Sequence, residues 1–274
     1  MTQSPLAPGF TRPYFDGDRY DTPADNKRDL MDRLCFGGSF WFYCLHSQAI
    51  LHARSQALSN NYGRDVWAQT SFDIFRILER CGARFHISGL ENLRTAQGPL
   101  VFISNHMSTT ETQVFPCIIA PFKQVTFIVK SSLMTMPIFG PIMRSCDPIC
   151  VNRESAREDM VTVMTEGVRK LEEGISLIVF PEATRQTVFK AEKFNSLGVK
   201  LAKRAGVQAM PVAIKTDFWK PGKLIKDFGP LDRSQDVYIE FGAPVTIEGN
   251  GKDQHKDMVE FIGGRLKSWG GDVQ

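Results

Sequence analysis

Two short stretches of this chain carry side chains able to move a proton and grip an anion. The first is Asn105-His106-Met107-Ser108-Thr109-Thr110-Glu111, with a histidine five residues ahead of a carboxylate. A neutral imidazole can take a proton from a hydroxyl when a partner on its other nitrogen fixes the tautomer and stabilises the imidazolium. Five steps along one continuous helix turn side chains apart by about 140°. His106 and Glu111 therefore meet only if His106 sits in a turn and Glu111 in the helix that follows. Ser108-Thr109-Thr110-Glu111 also fits the S-x-x-E capping box, in which Glu111 reaches back to the Ser108 amide and His106 is an ordinary turn residue. The second stretch is Phe180-Pro181-Glu182-Ala183-Thr184-Arg185. Arg185 can hold a phosphate through a two-pronged fork. Glu182 can hold donors on an acceptor or orient the loop's own amides, and a solvated turn with a salt bridge is the plainer reading.

Both stretches leave apolar runs, PLVFIS and SLIVF, that read as strands covered on both faces. From Ala83 onward short β-rich runs alternate with helical ones. The strands expected are Arg84–Ser88, Leu100–Ser104, Thr126–Val129, Ile149–Val151, Ser176–Phe180, Gln208–Ile214 and Val237–Phe241. Helices fit between them at Thr110–Ala120, Leu133–Met143, Ser155–Glu173 and Ser196–Ala205, with a last one near Gln254–Trp269. This alternation predicts an α/β fold with a mixed, largely parallel sheet flanked by helices. Chemistry in such sheets gathers beyond the carboxyl ends of the strands, where both stretches lie.

Ahead of that domain, residues 1–28 read as a flexible leader with turns, rich in Pro, Gly, Asp and Arg. Residues 29–82 read as a helical module, with one helix over Asp29–Asn60 broken near Gly37-Gly38 and another over Asp65–Arg80. In the second, Trp67, Ile74, Leu78 and Cys81 fall on one stripe. In the first, Phe40-Trp41-Phe42-Tyr43 suits the headgroup–acyl boundary of a bilayer, although aromatic helices also pack into cores. The apolar piece is shorter than the roughly 20 residues a membrane span needs. No basic-then-apolar secretory pattern is read at the N-terminus. Residues 83–274 then form the catalytic domain.

Composition narrows the classes. The chain has 274 residues, of which 42% are hydrophobic and 23% charged, as for a globular protein. Its six cysteines have no paired CxxC spacing, so a zinc site and a disulfide framework are both disfavoured and no metal is expected. No G-x-G-x-x-G or P-loop pattern occurs. Between Arg185 and Lys226 ten Lys/Arg face two acidic residues, a net +8 that favours an anionic partner. No nucleic-acid recognition motif accompanies it, and no nucleic-acid partner is expected.

Taken in order, NHMSTTE, FIVKSSLMTMPIFG followed by ICVNR, FPEATR and MPVAI resemble the four blocks of the 1-acylglycerol-3-phosphate acyltransferase family. The blocks run from Leu100 to Ile214, within a strand–helix pattern that extends from Ala83 to the C-terminus. The resemblance implies a glycerol-3-phosphate acyltransferase-like fold and transfer of a fatty acyl group from acyl-CoA or acyl-carrier protein to a lysolipid hydroxyl, in phospholipid biosynthesis. It implies no cofactor beyond that donor thioester. By carry-over His106 is the base and Glu111 stands where the family usually has aspartate. Arg153, Glu182 and Arg185 match positions assigned to the acceptor's phosphate region, and Asn105, Ser108, Lys130 and Thr184 join them as substrate-binding candidates. The resemblance also implies a peripheral or monotopic protein on the cytoplasmic face of a membrane, with acyl-carrier protein as a candidate partner. Ala183 replaces the family's usual glycine, and a serine nucleophile or a non-catalytic lipid-binding role remain alternatives.

Overall fold

The computed structural model describes residues 6–35, 38–222 and 226–274. Its centre is an eight-stranded sheet of β1 (Tyr20–Asp21), β2 (Phe85–Ser88), β3 (Leu100–Ser104), β4 (Val125–Lys130), β5 (Ile149–Val151), β6 (Ser176–Val179), β8 (Gln208–Lys215) and β9 (Val237–Phe241). The spatial order is β1-β2-β9-β8-β3-β6-β4-β5. Strands β8, β3, β6, β4 and β5 run parallel, β9 is antiparallel to β8, and β1 is antiparallel to β2. The mixed, largely parallel sheet expected from the sequence is the one observed. A separate short ladder pairs β7 (Val188–Phe189) with β10 (Asp272–Val273).

The uninterrupted apolar runs occupy the middle of the sheet, where β3 and β6 are buried at every position. Successive residues of β3 point to opposite faces. Phe102 meets Phe241 and, beyond it, Phe115 of α5 (Thr110–Ile119). Ile103 points the other way, onto α8 (Leu197–Ala205). There a Cβ on Gly198 would fall 2.8 Å from Ile103, so glycine permits the close approach of helix to sheet. Helices α2 (Phe40–Leu58), α3 (Arg64–Arg80), α5 and α6 (Phe139–Ser145) pack on one another on one side. On the other side α7 (Ala156–Glu172) packs on α8, and α9 (Lys252–Ser268) lies on β8.

Two expectations are corrected. Residues 6–28 have little regular structure but are not loose. Phe15 is buried edge-on to Phe75, β1 pairs with β2, and the Tyr20 and Thr22 hydroxyls donate to Glu79 at 2.8 and 2.6 Å. Aperiodic chain held by scattered aromatic and polar anchors leaves no pattern in a sequence. The helix expected over Leu133–Met143 divides into a 3₁₀ turn at Ser131–Thr135 and α6, because Pro137 forces Met136 into an extended conformation (ψ 132°). The N-terminal helix divides where the sequence places a break, into α1 (Leu30–Leu34) and α2; Gly38 lies in the break, and Gly37 lies outside the described residues. The short α4 (Leu90–Thr95) had no periodic signal. Its N-cap Gly89 adopts φ +74° against the Phe241 carbonyl, where a Cβ would come within 2.0 Å.

The aromatic run of α2 is split by this packing. Phe42 is fully buried against Trp219 and His46, so it belongs to the core and not to a membrane interface. Tyr43 donates to the Gly229 carbonyl and Trp41 to Asp29, which commits both polar ends to the protein. Phe40 remains exposed, as do Leu30, Met31 and Leu34 of α1. No helix among the described residues is long and apolar enough to cross a membrane.

Candidate active site

Parallel β3 and β6 are neighbours, so the turns that leave their carboxyl ends lie side by side. The turn after β3 is fastened below His106 by Asn105. Its side-chain amide donates to the Ile214 carbonyl and its carbonyl accepts the Ile214 N–H, both at 2.9 Å. Asn105 thereby extends the β3–β8 pairing by one step. It is buried with both polar ends occupied, so it anchors the turn and does not bind substrate.

His106 stands just beyond that anchor, its ring stacked on Phe180 with centroids 4.3 Å apart. Nδ1 lies 2.8 Å from Glu111 Oε1, which selects the tautomer with the proton on Nδ1 and leaves Nε2 to accept one. Glu111 Oε1 also accepts the backbone N–H of Met107 (2.7 Å) and Ser108 (2.8 Å). The capping box and the histidine–carboxylate pair are therefore one arrangement. On the other oxygen, Oε2, the hydroxyls of Thr216 and Ser108 lie at 2.7 and 3.0 Å. Glu111 is fully buried. Burial alone would push its carboxyl up, but the hydrogen bond and charge of His106, with the Thr216 hydroxyl, bring it below the usual carboxylate value. It stays ionised at neutral pH. Ser108 is buried as well, its hydroxyl engaged with Glu111, Thr216 and the Thr110 amide, so it neither binds substrate nor acts as a nucleophile.

The loop after β6 closes on the same turn. Glu182 Oε2 accepts the His106 N–H at 2.6 Å, and the Gln186 N–H donates to the His106 carbonyl at 2.8 Å. Of the two roles open to Glu182, the observed one is orientation of the His106 turn. Burial pushes its carboxyl up to about 7, the His106 N–H pulls it back, and the Glu111 charge adds to the rise. Ala183 takes φ +57°, a left-handed setting that costs a residue with a Cβ about 1–2 kcal/mol and that glycine enters freely.

Arg185 reaches across to the His106 turn, with Nη1 donating to Thr109 Oγ1 at 2.6 Å and Nη2 to Asp227 at 2.7 Å. Thr184 is exposed and its hydroxyl meets Gln186 at 3.0 Å. Lys130 at the end of β4 and Arg153 beyond β5 are exposed at the same edge of the sheet. They sit two and three strands from β3, roughly 10 and 14 Å at normal strand spacing. The structure thus brings His106, Glu111, Glu182 and Arg185 together and leaves Lys130 and Arg153 on the rim. The basic stretch is thinner than its sequence suggests, because Lys215 is buried against Asp217 and Gln235, and Lys223 lies outside the described residues.

Residues 84–215 match the model of the Acyltransferase family. Over 186 residues the chain is 31% identical to the 1-acyl-sn-glycerol-3-phosphate acyltransferase of Pseudomonas aeruginosa, a match that covers 68% of this chain and 67% of that protein. The chain belongs to the 1-acylglycerol-3-phosphate acyltransferase family. A chloroplastic member from Arabidopsis thaliana, LPAT1, is 28% identical over 48% of this acyltransferase and 36% of its own length. The Escherichia coli enzyme of the same name is 24% identical over 59% of this chain and 63% of its own. The fold is shared with the crystal structure of the 1-acyl-sn-glycerophosphate (LPA) acyltransferase PlsC from Thermotoga maritima. That match has a TM-score of 0.63 at 18% identity and covers 87% of this chain and 96% of that one.

Sequence reasoning missed several contributors to this candidate site. Thr216 follows the apolar run of β8 and becomes visible only once β8 is known to lie beside β3. Phe180 had been read as strand and not as the ring beneath the imidazole. Asp227 carried no signal, since its partner Arg185 is 42 residues away.

Proposed function

We propose that this acyltransferase moves a fatty acyl group from an acyl-CoA or acyl-carrier-protein thioester to the free hydroxyl of a lysophospholipid such as 1-acylglycerol-3-phosphate. The observation that carries the proposal is the His106–Glu111 contact at the carboxyl end of β3, with Nε2 left over as base. In the proposed reaction Nε2 accepts the hydroxyl proton as that oxygen attacks the thioester carbonyl. The imidazolium is stabilised by ionised Glu111 and returns the proton to the departing thiolate. The products are the diacylated lipid and the free thiol, with no acyl-enzyme between. Holding the two substrates in register supplies much of the acceleration. A purified-enzyme assay with radiolabelled acyl donor and a panel of lysolipids tests the proposal. Transfer to 1-acylglycerol-3-phosphate supports it, and no transfer to any lysolipid refutes it in favour of non-catalytic lipid binding.

Arg185 is the proposed phosphate ligand nearest the base, and Lys130 and Arg153 serve the outer part of the same region. With Asp227 seated on its guanidinium, Arg185 must exchange one anion for another when the acceptor arrives. Asp227→Asn is therefore expected to lower the acceptor's KM several-fold with kcat little changed. A raised KM would mean that Asp227 holds Arg185 in place for the substrate.

For location we propose the cytoplasmic membrane surface, held peripherally or monotopically by the apolar side chains that α1 and the start of α2 leave uncovered. Leu30 and Phe40 are each 70% exposed and Leu34 59% exposed, an arrangement suited to shallow insertion beneath headgroups. The Leu34→Ser/Phe40→Ser pair is expected to reduce co-sedimentation with anionic vesicles several-fold while the thermal transition is kept. Undiminished binding would remove this face from the proposal.

A further inference from the structure

We propose that Thr216, at the exit of β8, is a positioning residue that aims the Glu111 carboxylate at His106. The inference rests on His106 being the base, and it concerns what keeps that base's partner in register.

Glu111 is held on two sides that differ in kind. Oε1 is tied to His106 Nδ1 and to the Met107 and Ser108 amides, all within the turn that Glu111 itself follows. Ties to one oxygen leave the carboxylate free to swing about its last torsion, which is broad for a bond ending in a trigonal carbon. Such a swing keeps a hydrogen bond but turns the lone pair away from Nδ1. Oε2 blocks it through Ser108 Oγ at 3.0 Å and Thr216 Oγ1 at 2.7 Å. Ser108 belongs to the same turn and moves with it. Among the described residues, Thr216 is the side-chain donor to Glu111 that comes from another strand.

That strand is rigid with respect to His106. Leu100–Ser104 pairs residue for residue with Gln208–Val212, and Asn105 carries the pairing on to Ile214. The Thr216 N–H then approaches Met107 Sδ at 3.3 Å, within the turn itself. Thr216 is fully buried, as is Glu111, so its hydroxyl touches no substrate and acts only through the carboxylate.

The test compares Thr216→Val, which keeps the shape and removes the donor, with Thr216→Ser, which keeps the donor. The readouts are the ring ¹⁵N NMR titration of His106 and steady-state kinetics. If Thr216 aims the carboxylate, its loss weakens the Nδ1 contact and leaves the imidazolium less stabilised. In Thr216→Val the His106 midpoint then falls by about half a pH unit or more, and kcat drops about tenfold, the scale of a lost hydrogen bond to a charged group. Both substrates keep their KM, and Thr216→Ser restores midpoint and kcat. Glu182, which accepts the His106 amide N–H and whose carboxyl is pushed up to about 7 by burial, is present in every variant and cancels from the comparison. An unchanged or raised midpoint overturns the inference, as does equal damage in Thr216→Ser, which would assign the residue to packing through its methyl group. If Thr216→Val does not fold, Thr216→Ala replaces it. A Thr216→Ala that matches Thr216→Ser, or that also fails to fold, overturns the inference too. Full turnover by His106→Ala alongside a lowered midpoint in Thr216→Val would refute the catalytic reading while leaving the positioning contact intact.

Discussion

Glu111→Gln is expected to lower kcat by roughly 10²–10⁴-fold, the range over which a general base is disabled, and to cost about 1–3 kcal/mol of stability. A glutamine can offer its carbonyl oxygen to His106 and to the Met107 and Ser108 amides, and its NH₂ group to the hydroxyls of Thr216 and Ser108, which can rotate to accept. The shape of the site survives. What disappears is the negative charge that stabilises the imidazolium as the hydroxyl proton arrives, and the charge-assisted strength of five hydrogen bonds. The stability loss has a pH signature. Burial opposes the charge, but His106 and Thr216 hold the Glu111 carboxyl below its ordinary value of 4.5. The ionised form thus contributes stability that is fully present above about pH 4.5 and is lost as pH falls through the lowered folded value. Thermal unfolding of wild type and Glu111→Gln should accordingly show a gap near neutrality that narrows under acid. A gap independent of pH would mean that the charge is not what the fold uses.

His106→Ala is expected to lose about 10²–10⁴-fold in turnover, or more, with the fold intact. Its ring is partly exposed, with a side-chain exposure of 16%, so truncation opens no sealed cavity. Glu111 keeps its remaining amide and hydroxyl donors and is not left as an unpaired buried charge. Ser108 does not stand in as a nucleophile, because its hydroxyl is buried among Glu111, Thr216 and the Thr110 amide. The loss is expected in kcat, with the acceptor's KM left to Arg185 and the rim cations.

The parts of this molecule that were legible from sequence were those set by local pattern. Runs such as Leu100–Ser104 and Ser176–Val179 are apolar at consecutive positions because helices cover both faces of the sheet, and that signal survives without coordinates. The helix pitch set the condition for His106 and Glu111 to meet, a turn between them, and the contact itself is seen only in the structure. Two readings of Glu111, cap or catalytic partner, stood as alternatives because a sequence lists one role at a time. One oxygen, Oε1, meets both the cap amides and His106 Nδ1. The roles given to Asn105 and Ser108 failed for another reason. Side chains beside a catalytic histidine look available to substrate until the pairing of β3 with β8 shows their polar atoms consumed internally. Phe42 misled in the same way, since an aromatic helix suits a bilayer and a core equally well until Trp219 is placed against it. Contributions from distant chain, Thr216 and Asp227 above all, depend on topology and carry no local mark. Ala183 shows the converse limit. Its side chain speaks against a left-handed backbone, and the loop nevertheless adopts one, steadied by the Glu182 contact to the His106 amide and the Gln186 contact to the His106 carbonyl.

All of the proposed chemistry passes through one ring nitrogen, so the decisive measurement is kcat for acyl transfer to 1-acylglycerol-3-phosphate by folded His106→Ala beside wild type. Thermal transitions of the two proteins should be matched first. A fall of about a hundredfold or more is the expected result. Turnover within a few-fold of wild type would contradict the assignment of His106 as the base, and with it the direct attack derived from its contact with Glu111.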